Sequence, residues 1–192
     1  MTTAAESRPV KQRKPKACKT CKSPFQPRSS THVCCSIRCS VDFARVKREQ
    51  KERKELAAAK ERIKPRAQWL REAQAAVNRY VRLRDTAAGL PCISCGRHHQ
   101  GQNHAGHYRS VGSAPHLRFD TERNMHLQCA PCNTHLHGNL VNYRRALIAK
   151  IGIDAVEGLE ADQAPKHYSI DDLKQIKVEY ARKRRELEKE NK

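Results

Sequence analysis

Apolar positions recur at helical spacing in the middle and the second half of the chain. Residues 66–89 predict a helix that ends near Gly89 and carries one apolar stripe: Trp69, Ala73, Ala76, Val77 and Tyr80. A second predicted helix ends at Gly152, with a stripe of Leu140, Tyr143, Leu147 and Ile151. Such stripes are typical of helices that pack against a core, so Trp69 is interpreted as a core residue, with base stacking as the alternative.

The C-terminal pattern is weaker. A short helix is predicted around residues 154–159, and Ser169 with Asp172 has the spacing of a helix-capping box. The final helix that starts there loses its apolar residues, so we expect it to fray into the polar segment 181–192.

Residues 40–64 contain strong helix formers with Glu–Lys and Glu–Arg pairs at helical spacing, but few apolar anchors. This pattern predicts an exposed basic helix that Pro65 breaks or kinks. The helix either lies along a DNA backbone or bridges two modules, and a merely solvated face is the plain alternative. Its candidate DNA-binding residues are Lys47, Arg48, Lys51, Arg53 and Lys54.

Composition favours small modules and a polyanionic partner. The 192 residues carry a formal charge of +19 and are 38% hydrophobic, too few apolar residues for one large core. Zinc-bound thiolates would lower this charge to roughly +15, which is still strongly attractive to nucleic acid. No apolar run approaches the roughly 18 residues of a membrane span, and no signal-peptide core is visible, so we expect a cytoplasmic protein. Residues 1–17 are predicted to form a disordered basic arm.

Nine cysteines in a cytoplasmic protein indicate metal binding in preference to disulfides. The first group has two close pairs separated by a hairpin-length loop, as tetrahedral zinc requires: Cys18, Cys21, Cys35 and Cys39. Cys34 is then a spare thiol, and His32 could replace one sulfur. Free thiols are the alternative to this zinc finger.

The second group consists of two Cys-x-x-Cys knuckles, which predict a closed structural zinc site: Cys92, Cys95, Cys129 and Cys132. Eight of the ten histidines fall between residues 98 and 137. Because chance surface histidines would be spread more evenly, some of these should be metal ligands or acid–base groups. His98, His99 and His116 look more like exposed loop residues than ligands.

The order Cys-x-x-Cys, Gly106-His107, Asn124 and Cys-x-x-Cys-Asn resembles HNH-type nucleases, in which a two-stranded hairpin and a helix hold one catalytic metal ion. More narrowly, the segments AGHYR, LRFDTERN, QCAPCN and HGN are together similar to the NinG family of lambdoid phages, also called Rap. Members of that family are structure-specific endonucleases that act on branched recombination intermediates. The resemblance covers most of the chain.

The resemblance implies that His107 is the general base and that Asn124 fixes the loop and orients it. A catalytic Mg²⁺ or Mn²⁺ would be shared by Asn133, expected to start a helix, and His137 four residues on, on the same helix face. An ordinary structural histidine is the alternative for His107. Many HNH nucleases have an Asp or His metal ligand where this chain has Gly106. His104 is the candidate replacement, with Asn103 or Asp120 as further options and ordinary hydrogen bonding as the alternative.

The sequence therefore predicts an α+β protein with an N-terminal treble-clef-like zinc finger, long basic helices, a zinc-stabilised HNH (ββα-metal) module and a helical C-terminal tail. The expected segments are 1–17, 18–40, 41–89, 90–139 and 140–192. The expected function is metal-dependent endonucleolytic cleavage of branched DNA during phage recombination. The alternatives are a non-catalytic zinc DNA-binding protein that acts as regulator or scaffold, and a sequence-specific homing or restriction nuclease. A homodimer would suit symmetric junctions, and other phage recombination proteins are further expected partners.

Overall fold

The computed structural model of this chain describes residues 13–165 and 167–191. The described residues form two compact units, which divide between Ile63 and Lys64. Most of the expected basic arm, residues 1–12, lies outside the described residues. The rest of the arm prediction is wrong at Lys16–Ala17, because these two residues form a strand (β1) that pairs antiparallel with Pro24–Phe25 (β2).

The first unit is a small cysteine module followed by one long helix. The β1–β2 hairpin holds Cys18 and Cys21, and its turn needs a left-handed residue, Lys22, at φ 65°. Helix α1, Ile37–Arg62, begins at Ser36, whose side chain accepts a hydrogen bond from the Cys39 N–H. This helix has no buried residue, so the predicted exposed helix is confirmed.

The second unit is built around a two-stranded antiparallel sheet. Its elements are α2 (Arg66–Ala87), β3 (Asn103–His107), β4 (Met125–Cys129), α3 (Leu140–Ile151), α4 (Ile153–Ala161) and α5 (Ile170–Glu190). Pro65 caps α2, and Gly89 follows its end at φ 65°, so both predicted boundaries are confirmed. The expected mixture of helices with small sheets is also confirmed.

One core lies between the sheet, α2 and α5. Trp69 is 4% exposed and packs with the other buried residues of its helix, Ala73, Val77 and Val81, so it is a core residue. The sheet contributes Ala105 and Met125, which are diagonal neighbours on one face, because Ala105 pairs with Leu127 and Met125 with His107. On this face the sheet packs against α2, which in turn packs against α5, and the other face of the sheet is turned toward Tyr143 of α3.

Helix α5 is longer than the sequence predicts. Its capping box of Ser169 and Asp172 is present, but the helix continues to Glu190 instead of fraying after Tyr180. Three ion pairs four residues apart support this polar end: Lys183–Glu179, Arg182–Glu186 and Arg184–Glu188. The apolar pattern does not predict residues 181–190 as helix, because ion pairs stabilise this part of α5 where apolar contacts are absent.

A second core joins α3 and α4 to the connection between β3 and β4. Tyr143, Leu147, Val156 and Leu159 are fully buried here against Leu117. Gly152, at φ 88°, makes the corner between the two helices. In the part of the chain that the structure describes, no helix is both long and apolar enough to cross a membrane.

Candidate functional site

Two groups of four cysteines have the geometry of metal sites. In each group the four sulfur atoms lie within 4.8 Å of one another: Cys18, Cys21, Cys35 and Cys39 in the first unit, and Cys92, Cys95, Cys129 and Cys132 in the second. Burial, opposed by some hydrogen bonds and assisted by the neighbouring thiols, raises the pKa of Cys129 to about 12. A divalent cation would remove this obstacle to ionisation. Both tetrads can therefore hold zinc.

The same geometry shows which residues near the two tetrads lie outside them. His32 is not part of the first tetrad, since its Nδ1 accepts a hydrogen bond from the Arg28 N–H and its ring packs on Phe25. Cys34 is buried outside the tetrad, 3.8 Å from the Thr20 hydroxyl. His99 Nε2 lies 3.4 Å from Cys95 Sγ, so His99 is not the free loop residue that the sequence analysis predicts. It can orient that sulfur by hydrogen bonding.

His107 is the last residue of β3, opposite Met125. Its Nε2 is 3.0 Å from the carbonyl oxygen of Arg118. Because a carbonyl only accepts, Nε2 carries the proton and Nδ1 carries the lone pair. Burial lowers the pKa of His107 below its usual 6.5, so the ring is neutral at pH 7. The chain therefore holds an imidazole in one tautomer, with a basic nitrogen.

Asn124 fixes the connection that follows His107. It is fully buried; its Oδ1 accepts from the Arg109 N–H at 2.7 Å, and its Nδ2 donates to the carbonyls of Arg109 and Leu117, both at 3.1 Å. Leu117 directly precedes Arg118, whose carbonyl holds the imidazole. Asn124 therefore acts on main-chain atoms on both sides of the loop, and its expected effect on His107 would be indirect.

Gly106 leaves space that a glutamine side chain fills. A Cβ at this position would overlap Oε1 of Gln128 and lie 2.9 Å from its Cδ and 3.0 Å from its Cβ. Gln128 is fully buried, and its Nε2 donates to Ser94 Oγ at 2.7 Å and to the Gly138 carbonyl at 2.6 Å. An Asp or His ligand could not stand at position 106 while Gln128 is in this conformation.

The expected helix from Asn133 to His137 does not form. Residues Pro131–His135 make a single wide turn of the π type, and His137 is left-handed at φ 47°, so these two side chains do not share a helix face. The left-handed conformations continue through Gly138 and Asn139, which turn the chain into α3. Pro131 and the tetrad residue Cys132 constrain this segment, and helical spacing could not reveal that.

A cleft nevertheless brings the two residues near the imidazole. Asn133 and His137 line an open cavity of about 550 Å³ together with His107. Nδ2 of Asn133 donates to Nδ1 of His104 at 2.8 Å, which leaves the amide oxygen as the free acceptor. His104 thus orients Asn133. Apart from the cysteine tetrads, the described residues bring no three Cys, His, Asp or Glu ligand atoms within 4.8 Å.

The C-terminal region supplies a wall of this cleft that the sequence did not reveal. Glu160 of α4 lines it and accepts a hydrogen bond from the hydroxyl of Tyr108, which follows His107 in the chain. Arg144 of α3 binds both Glu160 oxygens, at 2.7 and 3.0 Å, and these bonds lower the carboxyl pKa to about 2. Arg109 donates to three carbonyls at the end of α4. The contacts of Tyr108 and Arg109 with the end of α4 join segments 50 or more residues apart in the sequence.

His116 and Asp120, two further polar residues of the β3–β4 connection, face elsewhere. The side chain of His116 is only 8% exposed and its Nε2 is 3.2 Å from Asp162 Oδ1, so the prediction of a solvent-exposed histidine is wrong here. Asp120 pairs with Arg123 at 2.7 Å, away from the His107 cleft. Asn103, at the other end of β3, is likewise outside that cleft wall.

The five candidate DNA-binding residues of α1 do not share one face. Lys47, Lys51 and Lys54 follow helical spacing and form one stripe, whereas Arg53 points about 100° or more away from it. Lys51 pairs with Glu55 at 3.8 Å, and Lys47 lies over the Phe43 ring. The stripe is exposed along its length, so it remains a candidate surface for phosphates.

Comparison with known proteins gives one consistent result. The family model described as Bacteriophage Lambda NinG protein matches residues 10–190. Protein ninG of Salmonella phage P22 is 40% identical over 186 residues, covering 87% of this chain and 90% of that protein. Protein ninG of Escherichia phage lambda is 39% identical over 186 residues, covering 87% and 89%. No solved structure matches significantly. With the family model spanning nearly the whole chain, this protein belongs to the NinG family of bacteriophage lambda.

Proposed function

We propose that this chain is a structure-specific endonuclease that cleaves branched recombination intermediates, such as D-loops and Holliday junctions, by metal-dependent hydrolysis in the host cytoplasm. The observation that carries the proposal is the state of His107. A neutral imidazole, fixed in one tautomer by the Arg118 carbonyl, lines an open cleft on a strongly basic protein. Phosphodiester hydrolysis needs such a base at neutral pH.

In this mechanism Nδ1 of His107 takes a proton from a water molecule. The water oxygen forms a bond to phosphorus, the bond from phosphorus to one ester oxygen breaks, and that oxygen takes a proton from solvent. The Arg118 carbonyl, 3.0 Å from Nε2, keeps the ring oriented and stabilises the imidazolium that forms. Asn124 holds the loop that presents this carbonyl.

A divalent cation is part of the proposal. Asn133 Oδ1 and His137 could hold it in the cleft with water and a substrate phosphate oxygen completing its shell, as Mg²⁺ commonly keeps several waters. Bound there, Mg²⁺ or Mn²⁺ would neutralise charge that develops on the phosphate. The nearby Glu160 carboxylate is engaged by Arg144 and Tyr108, so it is not assigned as a ligand.

The test compares His107→Ala with His98→Ala, a matched exposed histidine outside the cleft. The substrates are a four-way junction with a mobile branch point and a linear duplex of the same sequence, each with and without Mg²⁺ or Mn²⁺. We expect the parent and His98→Ala proteins to cut the junction. His107→Ala should cut it at least about 10² times more slowly, while its junction binding and zinc content stay unchanged. Cleavage by His107→Ala at the parental rate would refute the assignment.

The rival function is a non-catalytic zinc DNA-binding protein that acts as a regulator or recombination scaffold. The charge of +19 and the exposed lysine stripe of α1 suit either function. Junction binding by the parent protein without any cleavage in Mg²⁺ or Mn²⁺ would favour the scaffold.

Changing Asn133 or His137 in the proposed nuclease should raise the Mg²⁺ concentration needed for half-maximal cleavage, because these residues would hold the ion.

A further inference from the structure

A second basic cleft lies between α2 and α5, apart from the cleft that His107 lines. It has a volume of about 410 Å³, and its polar lining comes from Arg79, Arg82 and Thr86 of α2, Asn103 of β3, and Arg184 and Glu188 of α5. We call it the arginine groove. Three guanidinium groups meet one carboxylate here, so the groove has a net positive charge.

The groove exists because the two helices run in the same direction. Lys177 of α5 contacts Glu72 of α2 at 2.8 Å, and the rings of Tyr80 and Tyr180 meet at 5.2 Å, so residue numbers rise together along both helices. Arg184 consequently comes level with the last turns of α2. Helix α5 reaches this level only because it continues to Glu190.

The positive charge in the groove is largely uncompensated. Glu188 pairs with Arg184 at 3.6 Å. The guanidinium groups of Arg79 and Arg82 have no ion-pair or hydrogen-bond partner among residues 13–165 and 167–191. Arg79 and Arg82 are three residues apart on one helix and neither is paired with a carboxylate, so their charges repel each other, and a concave surface concentrates their field. An anionic ligand would remove this repulsion.

The positive charge also extends along the helix pair. Glu72 and Arg79 are seven residues apart on α2, and Lys177 and Arg184 are seven apart on α5, so each pair lies on one face, two turns apart. Lys64 and Lys177 both contact Glu72, at 3.1 and 2.8 Å, so this end too has more cations than anions. The basic strip between the two ends is about 10 Å long.

We propose that the arginine groove binds the phosphate backbone of nucleic acid and guides one strand toward His107. Guanidinium groups match phosphate oxygens by paired hydrogen bonds, and a strip of about 10 Å parallel to a duplex axis covers the axial rise of roughly three phosphates of one strand, at about 3.4 Å each. Asn103 begins β3 and His107 ends it, so the groove is connected to the His107 cleft by one strand about 13 Å long. The choice of DNA as the nucleic acid rests on the proposed function.

The experiment measures binding without cleavage. Full-length, zinc-loaded protein is titrated against the labelled four-way junction at several salt concentrations, without added Mg²⁺ or Mn²⁺. The variants are Arg79→Gln, Arg79→Gln/Arg82→Gln and, as control, Arg145→Gln, which removes an exposed charge on α3 outside the groove. Zinc content and the unfolding midpoint of each variant verify that it is folded.

We expect the double variant to bind about tenfold more weakly, and the slope of log K against log [salt] to become shallower by about 2, one for each lost phosphate contact. Arg79→Gln should lose about half of this, and Arg145→Gln should change affinity less than twofold. Equal losses per charge in the groove and control variants would overturn the proposal, as would a protein that binds no DNA.

The outcome is separable from that of the cleavage test. If the protein binds junctions through the groove but never cuts them, the groove proposal stands and the proposed nuclease function fails. If the protein cuts junctions but the groove variants do not change its affinity, the proposed nuclease function stands and the groove proposal fails.

Discussion

Gly106→Ala should strongly destabilise the second unit although it adds only one methyl group. Gly106 directly precedes His107, and the new Cβ would overlap Oε1 of Gln128. Gln128 is not a flexible surface side chain that can move aside, because it is fully buried and hydrogen-bonded through Nε2. Either the glutamine leaves its place or the β3–β4 pair separates.

The cost follows from these contacts. Displacing Gln128 breaks its hydrogen bonds to Ser94 and Gly138, each contributing about 1 kcal/mol net. Overpacking of a buried site adds about 1–3 kcal/mol. Together these predict a loss of about 3–5 kcal/mol in the free energy of unfolding, or a fall of about 10 °C or more in the melting temperature.

The assay is denaturant unfolding of zinc-saturated protein, with two further variants. Gly158→Ala is the control, since nothing lies within 4 Å of a Cβ at that helical position; it should be neutral or stabilising by up to about 1 kcal/mol. Gly106→Ala/Gln128→Ala removes the side chain that collides. The double variant should be at least about 1 kcal/mol more stable than the sum of the single losses predicts.

Two results would refute this reasoning. One is a Gly106→Ala protein as stable as its parent. The other is strict additivity of the Gly106 and Gln128 changes, within about 0.5 kcal/mol, because two groups that compete for one space cannot act independently.

Three further predictions concern acid–base chemistry, metal and a buried carboxylate. Because burial lowers the pKa of His107, the base form persists below the usual value, and the acid limb of kcat/KM against pH should have its midpoint below 6.5; a midpoint at or above 6.5 contradicts the assigned environment. Elemental analysis should find two zinc ions per chain, and stripping them should abolish the cooperative unfolding transition; one ion would eliminate one tetrad. Asp85→Ala should cost about 3 kcal/mol in urea unfolding, since it leaves the Leu127 N–H and the Arg84 guanidinium without their carboxylate, and Asp85→Asn should cost less.

Helices with apolar stripes were predictable from the sequence, and so was the polar helix α1, but the polar end of α5 was not. Spacing identified the buried face of α2 and the ends set by Pro65, Gly89 and Gly152, because burial imposes a period of 3.6 residues. The length of α5 was missed, because its last turns are stabilised by ion pairs instead of by apolar contacts. The cysteine tetrads were predictable because ligand spacing is a local property.

The candidate site was predictable only where its residues are close in sequence. His107 and Asn124 follow from motifs, although their roles stay predictions. The π-type turn before His137 was not predictable, since it depends on how Cys132 and the loop meet the sheet. Glu160 was missed because it reaches Tyr108 through a contact between segments 52 residues apart, and no local pattern encodes such a contact.

The position of the second tetrad has a consequence for how the protein folds. Its cysteines flank the β3–β4 pair, at positions 92 and 95 before β3 and 129 and 132 at and after the end of β4. Without metal, pairing the strands requires closure of a loop that includes residues 108–124, an entropic cost that precedes any gain from the ladder. Zinc captured early by the four thiols would close this loop first and turn strand pairing into a local step. Refolding of the second unit should therefore accelerate with zinc concentration, and the supply of zinc during infection would set when a newly made chain acquires its His107 cleft.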